Sequence, residues 1–500
     1  MLAIHQLIKS YNLLPKFNIA HRTFLNEASR RGSTIYALSS GQGKCGVAVV
    51  RISGTDARLA IEKMTNIAKL EPRKAYLRNI RNPQTGETID KGLCLWFPGP
   101  NSFTGEDSVE FQVHGGVAVL ASLMSALSQL QFQPALPGEF TKRAFFHDKL
   151  DLTEIEGLAD LIHAETEQQR KQALLQAHGN LSALYSSWRA ILLKCLAHIE
   201  AYIDFGEEEN IESQVFEQCN IDLKDLTKQI EKHLSDGRKG EILRNGIRTV
   251  ILGEPNVGKS SLLNRLVQRN AAIVTSIPGT TRDVVELTAN VSGYPIVLAD
   301  TAGLNKLTED IIEIEGIKRA RDQASKADFI ILVMNAEEYV KSCKKYNEYL
   351  SSYIKSLELE ELILVDEQLA SNVMVVVNKV DLLKETDKRT LEEHNLSRIS
   401  CTDEEGFQEL LESMRKHFES ICGNPSAENP TISQERHRNH VRACHECLLK
   451  YFDIISNKDY DIVLASQEIR KAAKEIGKIT GQVSTEEILD TIFKNFCIGK

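Results

Sequence analysis

The chain has 500 residues, 42% hydrophobic and 26% charged, a composition that excludes disorder, a collagen-like repeat and a coiled-coil rod and leaves room for about three domains. Its 60 Lys and Arg against 69 Asp and Glu give a formal charge of −9, so bulk charge does not attract nucleic acid and any RNA contact must be local. Ten cysteines without a dense regular framework point to reduced thiols, and no apolar run approaches the roughly 18 residues of a membrane span.

The first segment stands apart. Up to residue 31 it holds Lys9, Lys16, Arg22, Arg30 and Arg31 against one acid, Glu27, with Ser, Asn and scattered apolar residues between. A basic, acid-poor leader of this kind reads as an organelle transit peptide, expected over 1–33; a tail without targeting value is the alternative, and secretion the weaker one. Without it the rest of the chain carries a formal −13.

From residue 34 the pattern becomes compact. Apolar runs at 35–38, 47–52, 93–97 and 109–113, with a glycine-containing turn at 41–46, predict strands of an α+β domain over 34–147. Helical spacing follows, as in Leu181, Leu184, Trp188, Ile191, Leu192, Cys195 and Ile199, and predicts a helical region over 148–244. A strand at 249–252 opens alternating strands and helices that predict a doubly wound α/β domain over 245–424, closed by the Pro- and Asn-rich stretch 423–430. Residues 336–371 read as a helix-bearing insertion within it. Helical spacing resumes at Val441, Cys444, Leu448, Tyr451, Phe452 and Ile455, and Ser484 with Glu487 forms a capping box. Helices on both sides of an α/β domain imply one discontinuous helical domain, 148–244 with 425–500, into which the α/β domain is inserted.

The inserted domain carries a nucleotide site. Gly253-Glu254-Pro255-Asn256-Val257-Gly258-Lys259-Ser260, between a strand and a helix beginning near Ser261, is a P-loop. Its amides cradle phosphates, Lys259 reaches the outer phosphates and Ser260 binds Mg²⁺. Asp300-Thr301-Ala302-Gly303 ends an apolar strand, so Asp300 can stand behind the metal and the Gly303 amide can face the γ-phosphate. Asn378-Lys379-Val380-Asp381 ends another, and the Asp381 carboxylate can accept both N1–H and N2–H₂ of guanine. Ser400-Cys401 offers a backbone amide to guanine O6. Four motifs in order point to GTP rather than ATP. Thr281, in Gly279-Thr280-Thr281-Arg282-Asp283, is the candidate switch threonine on Mg²⁺. The residue after Gly303 is Leu304, which cannot orient water, and Glu313 by spacing alone is one solvated acid among several.

At this point the chain resembles the MnmE/TrmE family of tRNA-modification GTPases, as a eukaryotic mitochondrial member. The resemblance covers essentially everything after residue 34. It is carried by Val49-Val50-Arg51-Ile52-Ser53-Gly54, Phe97-Pro98-Gly99-Pro100-Asn101-Ser102-Phe103-Thr104-Gly105-Glu106-Asp107 and His114-Gly115-Gly116. It continues in Pro137-Gly138-Glu139-Phe140-Thr141, Asp148-Lys149-Leu150-Asp151-Leu152, the switch motif and the terminal Phe496-Cys497-Ile498-Gly499-Lys500. It implies a multidomain α/β and α fold: an N-terminal α+β tetrahydrofolate-binding domain, a discontinuous helical domain and an inserted P-loop GTPase domain. It also implies a homodimer acting with a FAD-dependent MnmG/GidA-type subunit at carbon 5 of the wobble uridine of mitochondrial tRNAs.

The resemblance extends to residues. The nucleotide set becomes Asn256, Val257, Gly258, Lys259, Ser260, Ser261, Thr275, Thr280, Thr281, Asp300, Thr301, Ala302, Gly303, Asn378, Lys379, Asp381, Ser400 and Cys401. A K⁺ ion in place of an arginine finger implies Asn256, Thr275, Ile277 and Thr280 as its ligands, and Glu313 becomes the residue orienting water, alongside Lys259, Thr281 and Gly303 in catalysis. Folate, as a 5,10-methylene or 5-formyl tetrahydrofolate, implies Arg51, Glu110, Lys149 and Lys500 as contacts. Arg51 and the lysines suit its carboxylates or pterin carbonyl, and Glu110 suits the pterin donors. Cys497 is a candidate at the one-carbon site, with an inert buried thiol as the alternative.

Two further patterns carry less. His437, His440, Cys444 and Cys447 line one helix face but cannot converge tetrahedrally on one ion, and Glu207-Glu208-Glu209 reads as a solvated loop. The competing function is a mitochondrial RNA-binding or ribosome-assembly GTPase switch without RNA chemistry. Such switches tend to carry a basic RNA-binding domain with a G-x-x-G loop, which residues 425–500 lack. The added amine, glycine or taurine, leaves no motif.

Overall fold

The computed structural model describes residues 33–41, 43–67, 69–205, 213–269, 287–298, 321–366, 368–384, 387, 396–457, 459–483, 489, 492–493, 496 and 498–499. The chain divides into two compact units, Met1–Ile155 with Ser484–Lys500, and Glu156–Val483. The expected second helical segment, 425–500, is thus divided at residue 484.

In the first unit, strands β1 (Ile35–Leu38), β2 (Cys45–Ser53), β3 (Tyr76–Arg81), β4 (Thr88–Phe97), β5 (Ser108–Gly115) and β6 (Gln133–Pro134) form one sheet in the order β3-β4-β5-β2-β1-β6. Every pairing is antiparallel except β1 with β6. Alternation sets the two faces. Ala48, Val50 and Ile52 of β2 and Val109, Phe111 and Val113 of β5 are buried with helices α1 (Ala57–Thr65) and α2 (Val117–Gln129), which leaves Arg51 and Glu110, paired in register, on the other face. Helix α3 (Glu139–Phe146) follows. The C-terminal stretch returns here: Ile498 bridges Pro137, and Ser39 Oγ donates to the Gly499 carbonyl at 2.8 Å. Gly499 lies at φ +98°, where a Cβ would stand 2.1 Å from the Leu38 oxygen.

Helix α4 (Leu152–His163) carries the division between units, and α5 (Glu167–Ala177), α6 (Asn180–Phe205), α7 (Ser213–Leu234) and α8 (Lys239–Asn245) follow. The periodic residues Leu181, Trp188, Leu192, Cys195 and Ile199 of α6 share a core with Leu223, Leu226 and Ile230 of α7. The same core takes Val441, Cys444, Leu448 and Tyr451 of α14 (Glu435–Ile455) and Ile469, Ala472 and Ile476 of α15 (Ile462–Thr480).

Between α8 and α14 lies a second sheet, β14-β13-β10-β7-β9-β8, from β7 (Ile247–Leu252), β8 (Leu287–Val291), β9 (Tyr294–Leu298), β10 (Phe329–Asn335), β13 (Val373–Asn378) and β14 (Ser397–Ile399). Only β8 with β9 is antiparallel. Strand β10 is buried along its whole length because both faces are covered. In β10, Phe329, Ile331 and Val333 meet α9 (Lys259–Arg269) and α13 (Phe407–Cys422). Ile330, Leu332 and Met334 meet α10 (Ala336–Ser342) and α11 (Tyr346–Ser356). The insertion expected at 336–371 contains α10, α11, α12 (Glu360–Ile363) and the hairpin β11 (Leu364–Val365) and β12 (Gln368–Leu369). Among the described residues no helix is long and apolar enough to cross a membrane.

Candidate functional site

The P-loop occupies the turn between the end of β7 and the start of α9, where the helix's free amides and its dipole favour an anion. Asn256 sits at φ +62°, a left-handed conformation that asparagine tolerates. The Lys259 ammonium donates to the Gly253 and Glu254 carbonyls, each at 2.7 Å, folding the lysine back over its own loop. Burial pulls its pKa below the ordinary lysine value, and the nearby Glu254 charge works against that shift.

The segments expected from the sequence to face the base are built onto this loop. Asn378, 2% exposed, donates from Nδ2 to the Val257 carbonyl at 2.8 Å, while its Oδ1 accepts from the Cys401 amide at 3.3 Å. One side chain joins the P-loop to the Ser400-Cys401 turn. Gly258, at φ +100°, makes the approach possible: a Cβ there would stand 2.1 Å from Asn378 Nδ2. The Ser400 hydroxyl accepts from the Thr402 and Asp403 amides and shapes the turn. Burial pushes the Cys401 thiol up to about 11, so it is neutral at pH 7, and its amide is engaged by Asn378. Asp381 lies half-buried in a 3₁₀ turn, Val380–Leu382.

In the first unit, Arg51 and Glu110 meet across β2 and β5. Arg51 Nε donates to Glu110 Oε1 at 3.0 Å and Nη2 stands 2.9 Å from the same oxygen, with 17% and 19% of the two side chains exposed. The guanidinium lies 5.2 Å from the Phe103 ring centroid and 5.9 Å from that of Phe140. Lys149 is exposed. A paired arginine and carboxylate between two aromatic rings presents both a donor and an acceptor to a planar heterocycle. In the same unit Arg143 is buried, donating to Glu106 Oε2 at 2.8 Å, to the Ser33 carbonyl at 2.9 Å and to Glu139 Oε1 at 3.2 Å. Ser53 donates to Glu106 Oε2 at 2.9 Å.

Two family models match the chain. One, described as the MnmE helical domain, covers residues 152–497, and the other, the GTP-binding protein TrmE N-terminus, covers 34–149. The chain belongs to the MnmE/TrmE family. Among MnmE-family relatives, a Danio rerio protein named a mitochondrial 5-taurinomethyluridine tRNA synthase subunit, GTPB3, is 46% identical, with 93% of each chain covered. Its Homo sapiens namesake is 44% identical with 94% of each covered. A Rickettsia bellii protein named tRNA modification GTPase MnmE is 43% identical over 93% of this chain and all of its own.

Within this MnmE-family chain the structure brings together Val257, Gly258, Lys259, Asn378 and Cys401, and separately Arg51 with Glu110. Thr275, Ile277, Thr280, Thr281, Asp300, Thr301, Ala302, Gly303, Glu313, Cys497 and Lys500 lie outside the described residues, as do residues 1–32, the acids at 207–209 and the capping-box pair Ser484 and Glu487. His437 points to Glu156 at 2.6 Å and His440 to Glu475 at 2.8 Å, so the two histidines of the stripe are engaged by carboxylates, while Cys444 is buried in the helical core and Cys447 packs against it. Among the described residues no group of three or more His, Cys, Asp or Glu is placed to hold a metal.

Sequence reasoning missed Arg265. From α9 it donates to the Cys401 carbonyl at 3.0 Å and pairs with Glu404 at 2.6 Å, clamping the turn from behind. It sits in the i, i+4 polar row of a P-loop helix, a pattern indistinguishable from an ordinary solvated face.

Proposed function

We propose that this chain is a K⁺-dependent GTPase that acts, as a homodimer and with a FAD-dependent MnmG/GidA-type subunit, in folate-dependent modification of carbon 5 of the wobble uridine of mitochondrial tRNAs in the matrix. The observation that carries the reading is the Asn378 bridge, which ties the phosphate loop directly to the guanine-facing turn. The names of the relatives support a GTPase of tRNA modification, and those of the vertebrate relatives favour taurine as the amine.

Ser260 and Thr281 would hold Mg²⁺, and Asn256, Thr275, Ile277 and Thr280 would offer oxygens to K⁺. A cation there neutralises charge developing on the phosphates, a role worth about 10³ to 10⁵ in rate when an arginine supplies it. Glu313 would orient the water that Leu304 cannot. Arg51 and Glu110, with Lys149 and Lys500, would hold the folate, and Cys497 is the candidate at its one-carbon group. The net charge of −9 supports a division of labour in which the partner supplies much of the tRNA phosphate contact.

The test is mass spectrometry of nucleosides from mitochondrial tRNA of cells lacking the protein, rescued with wild type or with Asp300→Ala. The expected result is loss of 5-taurinomethyluridine, restored by wild type alone. Intact modification in the deleted cells would overturn the reading.

A further inference from the structure

Nothing in the nucleotide site as described uses the insertion at 336–371, yet its second helix reaches the P-loop. Tyr353 of α11 is 4% exposed, and its hydroxyl accepts from the Glu254 amide at 2.9 Å while donating to the Val333 carbonyl at 2.7 Å. One turn further on, Ser356 donates to the Glu254 carboxylate at 3.1 Å. Gly253 is pressed into the same place: at φ +149°, its Cβ would lie 2.3 Å from the Val333 oxygen and 3.1 Å from the Tyr353 hydroxyl.

The chemistry of the position is restrictive. An amide that needs an acceptor and a carbonyl that needs a donor face each other across a gap filled by one atom, and a hydroxyl serves both at once. Burial raises the pKa of Tyr353, so the phenol keeps the proton that it donates. The segment so held is the one that matters for phosphates, because the Gly253 and Glu254 carbonyls carry the Lys259 ammonium on their other side.

We propose that Tyr353 is a positioning residue for the P-loop, acting through Glu254 to set where the loop amides and Lys259 meet the phosphates of a bound nucleoside triphosphate. The insertion is then part of the nucleotide site. The proposal rests on reading this loop as the GTP site, so its test has one arm with nucleotide and one without.

Tyr353→Phe keeps the ring and removes the hydroxyl. Tyr349→Phe, on the adjacent stacked ring 6.0 Å away, serves as the control. In the nucleotide-free full-length protein, hydrogen exchange at the Glu254 amide is expected to quicken at least tenfold in Y353F and to stay within twofold in Y349F. Affinity for fluorescent GDP and GTP is expected to fall about tenfold in Y353F alone, with KM rising more than kcat falls. Packing loss alone would lower the melting temperature of both variants and leave loop exchange and affinity unmoved.

Exchange and affinity both within twofold of wild type in Y353F would overturn the proposal. Failure of the wild type to bind guanine nucleotide would overturn the GTP reading, while the exchange arm would still decide the brace. If Y353F does not fold, the wild type decides: a Glu254 amide protected like those of β10 supports the proposal, and one exchanging like an open loop overturns it.

Discussion

At the scale of single residues, Asn378 shows how a motif can be legible while its work is not. The four-residue pattern ending in Asp381 is read from the sequence as a guanine motif, but both ends of the Asn378 amide are used inside the protein, on Val257 and on Cys401. Spacing cannot announce a partner 121 residues away. Arg265, which reaches the same turn across 136 residues, left no signal for the same reason. The two roles of the amide can be separated. Asn378→Ala strands a buried carbonyl and an amide, and is expected to cost about 2 to 4 kcal/mol of stability. Asn378→Asp keeps the acceptor for Cys401 but sets a carboxylate against the Val257 oxygen in a buried place. It is therefore expected to be no more stable than the alanine variant at pH 7, despite its better shape. Urea unfolding checks this, and an aspartate variant of wild-type stability would show that the donor contributes nothing.

At the scale of elements, legibility follows burial on two faces. Strands β10 and β13 are continuous apolar runs up to a closing asparagine, and Val250–Leu252 ends β7 in the same way, so these could be read as strands from the residues alone. Strand β3, with Tyr76, Leu77, Arg78, Asn79, Ile80 and Arg81, buries only Ile80 and gave no such run. Helix α8 is also hidden, being seven residues long, although it leads directly into the P-loop strand. Its anchoring is dense. Glu241 is 2% exposed and receives Arg438 Nε and, at 2.7 Å, Arg238 Nε, while Gln172 donates to the Gly240 carbonyl at 3.0 Å. Gly240 touches its neighbours so closely that a Cβ would lie 2.4 Å from the Ile432 oxygen. In an exposed helix interior, replacing glycine with alanine stabilises by about 1 kcal/mol. Here the backbone carbonyl cannot move aside, and the sign reverses: Gly240→Ala is expected to destabilise by about 1 to 3 kcal/mol. A rise in the urea midpoint of that variant would show that α8 is not seated as described.

At the scale of the whole molecule, the chain order of helices, α/β segment and helices is visible as a change of period, from 3.6 to alternating strands and back. The return of Ile498 and Gly499 to the first unit leaves no such trace in the period, because it depends on a hydrogen bond spanning 460 residues and on one bridge to Pro137, and only the resemblance, which groups Lys500 with Arg51, implies it. Also invisible in sequence is a set of buried titratable groups that makes the larger unit acid-sensitive. His233 lies against Trp188 and Tyr185, and burial lowers its pKa to about 4, with Asp236 pulling upward and Arg438 and His437 pushing down. Glu156 is raised by burial, but His437 and Arg436 outweigh that and hold it at about 2. The unfolded chain takes up a proton on His233 near pH 6.5, where the folded unit still refuses it, so stability falls as pH drops from 6.5 toward 4. Glu156 adds a second loss below about pH 4.5, where the unfolded carboxyl protonates and the folded one remains charged. Asp160 has the opposite sign, since burial raises its pKa against the attraction of Arg244 and the folded unit gains that proton first. It offsets part of these losses, while His440, whose pKa burial lowers against the pull of Glu475, adds to the first loss beside His233. The melting temperature of wild type is therefore expected to fall between pH 6.5 and 4.5, and His233→Phe, which keeps the ring contact with Trp188, is expected to flatten that fall while lowering the plateau at pH 7. Parallel curves for the two proteins would remove His233 as the source.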